Sequence, residues 1–128
     1  MDIGMESYDK FISEESPVGV MAVQDVKRAA TSQIHLNLSN NSRIYLFLTQ
    51  TEGSIYGMGN VTSGNVAGPV EAVGRLQANK LFLDVTALGG EAYKFSLVSE
   101  GSTVLGDYCL ALPDGERLNS TAEGKWEI

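Results

Sequence analysis

Turn signals recur at nearly even intervals after Gln33, and this spacing constrains the fold more than any other feature of the chain. The turn centres lie near residues 41, 53, 65, 79, 89, 101 and 114, so 10 to 14 residues separate one turn from the next. Each interval has room for one short strand, whereas a parallel crossover needs a dozen or more residues, usually as a helix. The pattern predicts eight consecutive strands, over residues 33–39, 43–50, 54–61, 69–78, 80–87, 91–99, 103–112 and 116–127.

Hairpin-linked strands of this kind pair antiparallel with their neighbours, and a row of eight avoids free edges by closing on itself. We therefore expect an all-β protein, an antiparallel up-and-down meander barrel of about eight strands. A β-sandwich built from the same hairpins is the alternative. Gly57, Gly59, Gly74 and Gly106 lie within predicted strands, and we expect them to mark the points where the sheet bends.

The first residues have a different composition. Residues 1–16 are acidic, and we interpret them as a flexible tail or linker, with residues 17–128 forming a single β-barrel domain. Within that domain, residues 18–23 (VGVMAV) are apolar enough for a short buried strand. Residues 24–31 fit either a short helix or a strand, because short runs cannot be separated by period.

Charge and composition exclude several classes of function. The net charge is −7, which argues against binding to nucleic acids or to anionic membrane surfaces, since both favour basic patches. No apolar run approaches the roughly 18 residues of a membrane span, so we expect no membrane insertion. No basic segment followed by an apolar core is present, so we expect no leader peptide in this sequence.

Candidate reactive residues are isolated along the chain. His35 is the single histidine and lies on the polar side of its predicted strand, and Cys109 is the single cysteine, in an apolar strand. No spacing matches a calcium loop or a zinc site. We therefore predict a protein that is not an enzyme and has neither catalytic residues, metal nor cofactor. A hydrolase is the less favoured alternative, and it requires two carboxylates such as Asp84 and Asp107 to meet in one cleft.

Aromatic residues suggest two kinds of contact. Tyr45, Phe47 and Phe82 lie opposite the core-facing leucines of their strands, so a second surface is expected to be covered there. Residues 1–31, a second subunit in a homodimer and a parent protein are the candidates for covering it. A second aromatic set could line the barrel interior as a site for a small apolar ligand, although a filled core is the default: Tyr56, Met58, Tyr93, Phe95 and Tyr108.

The order of these features resembles a known architecture from residue 33 to residue 128. The chain resembles the lipocalin-like or avidin-like meander barrels of uncharacterised secreted and lipoprotein-type microbial domains. That resemblance implies a barrel outside the cytoplasm and no particular ligand or reaction. The residues that carry it are Leu46-x-Leu48-x-Gln50, Gly53, Tyr56-Gly57-x-Gly59, Gly74-x-Leu76, Lys80-Leu81-x-Leu83-x-Val85, Tyr93-x-Phe95-x-Leu97, Leu105-Gly106-x-Tyr108 and Gly124-x-Trp126.

Four asparagines, Asn37, Asn40, Asn60 and Asn119, begin N-glycosylation sequons. Turn-rich β proteins are rich in Asn, Ser and Thr, which is an equal explanation for these matches. Together with the resemblance, they favour an extracellular or cell-envelope location, with a cytoplasmic one still open. The function expected from the sequence is a non-enzymatic secreted or envelope binding or scaffold module, with a carrier of a small apolar ligand as the alternative.

Overall fold

The protein forms a closed barrel of eight antiparallel strands in the computed structural model, which describes residues 30–127. The strands are β1 (Ala30–Leu38), β2 (Arg43–Thr51), β3 (Ser54–Ser63), β4 (Val66–Gln77), β5 (Lys80–Ala87), β6 (Ala92–Glu100), β7 (Thr103–Ala111) and β8 (Arg117–Glu127). Each strand pairs with the next, and β8 pairs with β1. The predicted meander barrel is confirmed and the sandwich alternative is wrong. The predicted tail (1–16) and the predicted strand at 18–23 lie outside the described residues.

Short turns fix the register of the hairpins. Thr51 pairs with Ser54, and the two residues between them, Glu52 and Gly53, have φ values of 50° and 89°. A two-residue turn with positive φ at both positions matches the right-handed twist of the strands that it joins. The sequence places the strands within three residues of their observed starts, with β1 beginning at Ala30 instead of 33 and β4 at Val66 instead of 69.

The β3–β4 hairpin extends beyond its neighbour on one side. Residues 66–69 of β4 pair with β3, whereas pairing between β4 and β5 begins only at Val70 and Ala87. Pro69 lies in this overhang, opposite Asn60. Proline is tolerated where no neighbouring strand needs its N–H. This explains why β4 can begin at Val66, before Pro69, although the sequence pattern predicts a start at residue 69.

The pairing register determines the width of the barrel. Gln33 has a partner on β2, that partner has one on β3, and the series continues to β8 and returns to β1. The return point is offset from Gln33 by about ten residues along the strand direction, which is the stagger of the barrel. For eight strands about 4.8 Å apart, that stagger corresponds to strands tilted by roughly 40° from the barrel axis. The interior of such a barrel is filled by side chains or holds one small ligand.

Alternate residues of each strand point inward and form one hydrophobic core. Three aromatic rings lie together within it: Phe95 lies with its ring centroid 6.1 Å from that of Tyr93 and 5.5 Å from that of Tyr108. Most other members of the core are aliphatic. The buried core consists of Ile34, Leu36, Leu38, Ile44, Leu46, Leu48, Ile55, Val70, Ala72, Leu81, Leu83, Val85, Tyr93, Phe95, Leu97, Val104, Tyr108, Leu110, Ala122 and Trp126.

Inward-facing glycines allow the strands to coil closely around this core. A Cβ atom at Gly59 would lie 2.7 Å from the Tyr45 carbonyl carbon and 2.9 Å from Leu46 Cα, both on the neighbouring strand β2. Those distances are well below the roughly 3.5 Å of an ordinary carbon–carbon contact. The glycine therefore permits an approach of two backbones that no other residue could make, as expected for the bends of a barrel.

The two ends of the barrel differ. Trp126 is buried near the end that carries the β2–β3, β4–β5 and β6–β7 turns, and its indole N–H donates a hydrogen bond of 2.8 Å to the Ser32 hydroxyl. Its backbone N–H donates to the carbonyl of Ser102 in the β6–β7 turn. These contacts close that end. In the part of the chain that the structure describes, no helix is long and apolar enough to cross a membrane.

A candidate binding site at the barrel mouth

The opposite end of the barrel is open and forms a cavity of about 640 Å³, which we call the mouth. Four connections surround it: β1–β2, β3–β4, β5–β6 and β7–β8. Pockets that hold small molecules have volumes of about 300 to 1,000 Å³ and occur in the mouths of β-barrels. The lining residues are Asn40, Ser42, Val61, Ser63, Val66, Ala67, Gly68, Pro69, Ala87, Leu88, Gly89, Glu91, Tyr93, Leu110 and Leu112.

The wall of the mouth is largely apolar. Tyr93 and Leu110 are buried residues that belong to the core, and Val61 and Leu112 pack against it. Val66, in the overhanging hairpin, and Leu88, in the β5–β6 turn, are exposed apolar residues at the rim. Apolar surface from the core to the rim favours binding of an apolar molecule, because its burial removes apolar surface of both partners from water.

Two buried residues that carry hydroxyl groups line this apolar cavity. Ser42 is 3% exposed and Tyr93 is 7% exposed. Within residues 30–127, neither hydroxyl group has a hydrogen-bond partner, although the backbone N–H of Ser42 donates to the Asn40 side-chain oxygen over 2.9 Å. Buried polar groups are nearly always satisfied by protein, water or ligand. These two groups are therefore available to a molecule in the mouth.

Burial also makes the Tyr93 hydroxyl harder to ionise. Desolvation raises the pKa of this phenol above its ordinary value of 10.0, and the carboxylate of Glu91 and the phenol of Tyr108 raise it further. Tyr93 is therefore a neutral phenol at every physiological pH, and it can both donate and accept one hydrogen bond.

The structure divides the predicted interior set. Tyr93, Phe95 and Tyr108 lie in the interior, but of these only Tyr93 lines the mouth, because Phe95 and Tyr108 are packed beneath it. The interior placement of Tyr56 and Met58 is wrong: they point outward and are 54% and 66% exposed. Gly57 and Gly59 occupy the inward positions beside them, opposite the core residues Leu48 and Leu46.

Tyr56 and Met58 instead extend the surface on which the predicted interface lies. Phe47, 53% exposed, pairs with Met58, and Tyr56 pairs with Val73 on β4. We call these four outward residues the outer apolar face. Tyr45 lies beside Phe47 with ring centroids 5.4 Å apart, and Phe82, half-buried, lies under the Arg75 guanidinium at 4.5 Å. A role of Tyr45, Phe47 and Phe82 in a homodimer or parent-protein contact stays a prediction.

The residues considered for catalysis are not brought together. Asp84 and Asp107 both face outward, and the β5–β6 and β6–β7 registers place their Cα atoms about 12 Å apart. Asp84 forms an exposed ion pair with Lys94. Asp84 and Asp107 therefore do not meet in one cleft, while the absence of enzymatic activity stays a prediction.

The isolated histidine and cysteine likewise have ordinary surroundings. His35 is exposed and packs against Tyr45, with ring centroids 4.5 Å apart and the rings tilted by 40°, and Cys109 is a half-buried free thiol. Among residues 30–127, no three His, Cys, Asp or Glu side chains gather as a metal site. The sequon asparagines Asn37, Asn40, Asn60 and Asn119 are all exposed, and whether they carry glycans stays a prediction.

The sequence pattern does not identify Ser42 as a site residue, because Ser42 adjoins the turn centred near residue 41. Its position two residues before the inward-facing Ile44 was an available signal, since residues two apart in a strand face the same side. The mouth itself gave no signal of this kind, because its lining comes from four connections that are distant in sequence.

Comparison with known proteins supports the fold and goes no further. No protein-family model matches the sequence, and no curated protein matches it either. Among solved structures, the chain is similar to a de novo designed fluorescence-activating β-barrel, with a TM-score of 0.51 and 12% sequence identity. The match covers 77% of this chain and 90% of the designed one. At this identity the similarity shows a shared barrel architecture alone, and a lipocalin-like or avidin-like relationship is not shown.

Proposed function

We propose that this protein is a non-enzymatic binding module whose barrel mouth holds one small, largely apolar molecule that carries a hydrogen-bonding group. The observation that carries this proposal is the pair of buried hydroxyl groups, Ser42 and Tyr93, without partners within residues 30–127 in an apolar cavity of about 640 Å³. The designed barrel of similar architecture is described as fluorescence-activating, which makes a binding role compatible with the fold.

The chemistry of the wall defines the class of ligand. An apolar body is favoured by Val61, Leu110 and Leu112, while the two hydroxyl groups select for a ligand with a hydroxyl, carbonyl or amide group. Glu91 at the rim disfavours an anionic ligand. A neutral hydrogen bond made in such a cavity contributes about 1 kcal/mol, which corresponds to roughly a fivefold difference in affinity.

A titration with two matched probes tests this proposal. We expect 1-naphthol to bind about fivefold more tightly than 1-methylnaphthalene, a molecule of similar size without the hydroxyl group. Amide chemical shifts in ¹H–¹⁵N spectra should move at residues that line the mouth. Shifts confined to other surfaces, or none at millimolar probe, would contradict the proposal.

Two tyrosine variants provide the matched control. Tyr93→Phe removes one hydroxyl group from the mouth, and Tyr108→Phe removes one from the core below it. Tyr93→Phe should lower the preference for 1-naphthol, whereas Tyr108→Phe should leave it unchanged. An equal effect of both variants would show that the phenol acts through the stability of the barrel and not through contact with the ligand.

We also propose that the module works outside the cell or in its envelope. The exposure of all four sequon asparagines supports this location, because a glycan needs an asparagine that is accessible to solvent. Fractionation of the native cells with an antibody against the barrel tests it directly. Recovery of the protein in the cytosolic fraction would refute it.

A further inference from the structure

The outer apolar face is a surface that the proposed binding function does not use. Its four residues, Phe47, Tyr56, Met58 and Val73, are each more than half exposed. They adjoin one another across three strands and line a shallow hollow on the outside of the barrel, away from the mouth. Contiguous exposed apolar patches of this kind usually mark a contact with another part of a protein.

The register places this face level with the first described residues. Thr31, at the start of β1, pairs with Thr49, Thr49 pairs with Tyr56, and Tyr56 pairs with Val73. Tyr56 therefore lies two strands from Thr31, or about 10 Å away around the barrel, and Val73 lies three strands away, about 14 Å. Ala30, the first described residue, therefore lies near this face.

We propose that residues 18–23 of the same chain (VGVMAV) dock on the outer apolar face. This segment is apolar and contains no charged residue. Residues 24–29 link it to β1, and six residues span up to about 20 Å when extended, which is enough to bring the segment over β2, β3 and β4.

Closure of the barrel determines how the segment docks. β1 pairs with β2 from Ala30 to Asn37 and with β8 from Gln33 to Leu38, and the eight strands already form a closed barrel. The preceding residues cannot join the sheet as a ninth strand, so contact with the outer face is made by side chains. Valines and Met21 in the segment would then cover the exposed rings and the Met58 thioether.

Covalent linkage favours this occupant over a second copy of the chain. A linker of six residues holds the segment at an effective concentration in the millimolar range. A second copy at 10 μM protein is present at a concentration roughly a hundredfold lower. A contact that is too weak to form between two copies at 10 μM is therefore still favoured within one chain.

Disulfide trapping tests the proposal in the full chain. In a Cys109→Ser background, Val20→Cys is combined with Met58→Cys on the outer apolar face. The control combines Val20→Cys with Lys125→Cys, an exposed outward residue of β8 that pairs with His35 and lies about 14 Å from Thr31, against about 12 Å for Met58. Under mild oxidation we expect the Met58 pair to form an intramolecular disulfide at least tenfold faster than the Lys125 pair. Equal rates would overturn the proposal, and so would disulfide-linked dimers of the Met58 pair, which would instead identify a second copy as the occupant.

A measurement without engineered cysteines gives an independent result. Met58 is the only methionine within residues 30–127, so its ¹³C-labelled methyl group reports on the outer apolar face alone. We expect an NOE between the methyl groups of Met21 and Met58, and we expect Val20→Asp to abolish it and shift the Met58 resonance. Ile12→Asp, a similar change in the acidic tail, should leave both unchanged. A Met58 resonance that does not respond to Val20→Asp would overturn the proposal.

Discussion

Replacement of a single inward glycine should show how tightly the strands are coiled. Gly59→Ala places a Cβ atom 2.7 Å from the Tyr45 carbonyl carbon, about 0.8 Å closer than an ordinary contact. Backbone atoms cannot rotate away as a flexible side chain does, so β2 and β3 must separate. Overpacking of this kind costs about 1–3 kcal/mol, and weakening two neighbouring ladder hydrogen bonds adds about 2 kcal/mol. We expect a total loss of about 4 kcal/mol.

Gly68→Ala is the matched control, because it makes the same chemical change on the adjacent strand. No atom lies within 4 Å of a Cβ built at Gly68, and its backbone does not have a positive φ. An alanine there restricts the unfolded chain and should stabilise the protein by up to about 1 kcal/mol.

Urea unfolding monitored by circular dichroism measures both variants. With a slope of about 2 kcal/mol per molar urea, Gly59→Ala should lower the midpoint by about 2 M, and Gly68→Ala should leave it unchanged or raise it slightly. A loss of less than about 1 kcal/mol in Gly59→Ala would refute the close approach of β2 and β3. If Gly59→Ala fails to fold, intact folding of Gly68→Ala still separates the local clash from a general intolerance of alanine.

Three further predictions concern individual side chains. The folded state raises the pKa of Tyr93 above 10.0, so the unfolded chain loses this proton at a lower pH than the folded chain does. The free energy of unfolding should therefore fall above about pH 10, by at most about 1.4 kcal/mol per pH unit. Tyr93→Phe should flatten that decline in urea titrations at pH 9 to 11, and an unchanged slope would contradict it. Trp126→Phe removes the hydrogen bond to Ser32 and should lower the free energy of unfolding by about 2 kcal/mol, against about 1 kcal/mol for Ser32→Ala. Thermal unfolding measures both variants, and if both were as stable as the parent protein, the contribution of this hydrogen bond to the closed end of the barrel would be contradicted. Lys94→Ala should change the free energy of unfolding by less than about 0.5 kcal/mol, because the ion pair of Lys94 with Asp84 is exposed. A larger loss would show that Lys94 stabilises the barrel by more than this ion pair.

The strand order was predictable because each turn is local. Glu52-Gly53 and the other polar breaks act within a few residues, and consecutive strands joined by such breaks have few ways to pair. The same hairpin explains why the predicted interior position of Tyr56 and Met58 was wrong. A two-residue turn after Thr51 sets Leu46 opposite Gly59 and Leu48 opposite Gly57, which directs Tyr56 and Met58 outward.

The mouth was not predictable in the same way. Its width depends on the stagger accumulated over all eight pairings, including the pairing of β8 with β1, whose residues are more than 80 positions apart. A shift of two residues at any hairpin would keep the same side chains inward and still change the size of the cavity. Hydrophobic periodicity shows which side of a strand is buried, and it does not show whether a polar residue such as Ser42 has a partner.

The overhang of β3 and β4 re-creates, for four residues, the free edge that closure of a barrel otherwise removes. Free edges can template pairing with strands of other molecules, and natural sheets protect them with proline among other devices. Pro69 lies within this edge and has no N–H to offer an incoming strand. The chain thus keeps a projecting rim around its mouth while reducing the risk that the rim nucleates aggregation.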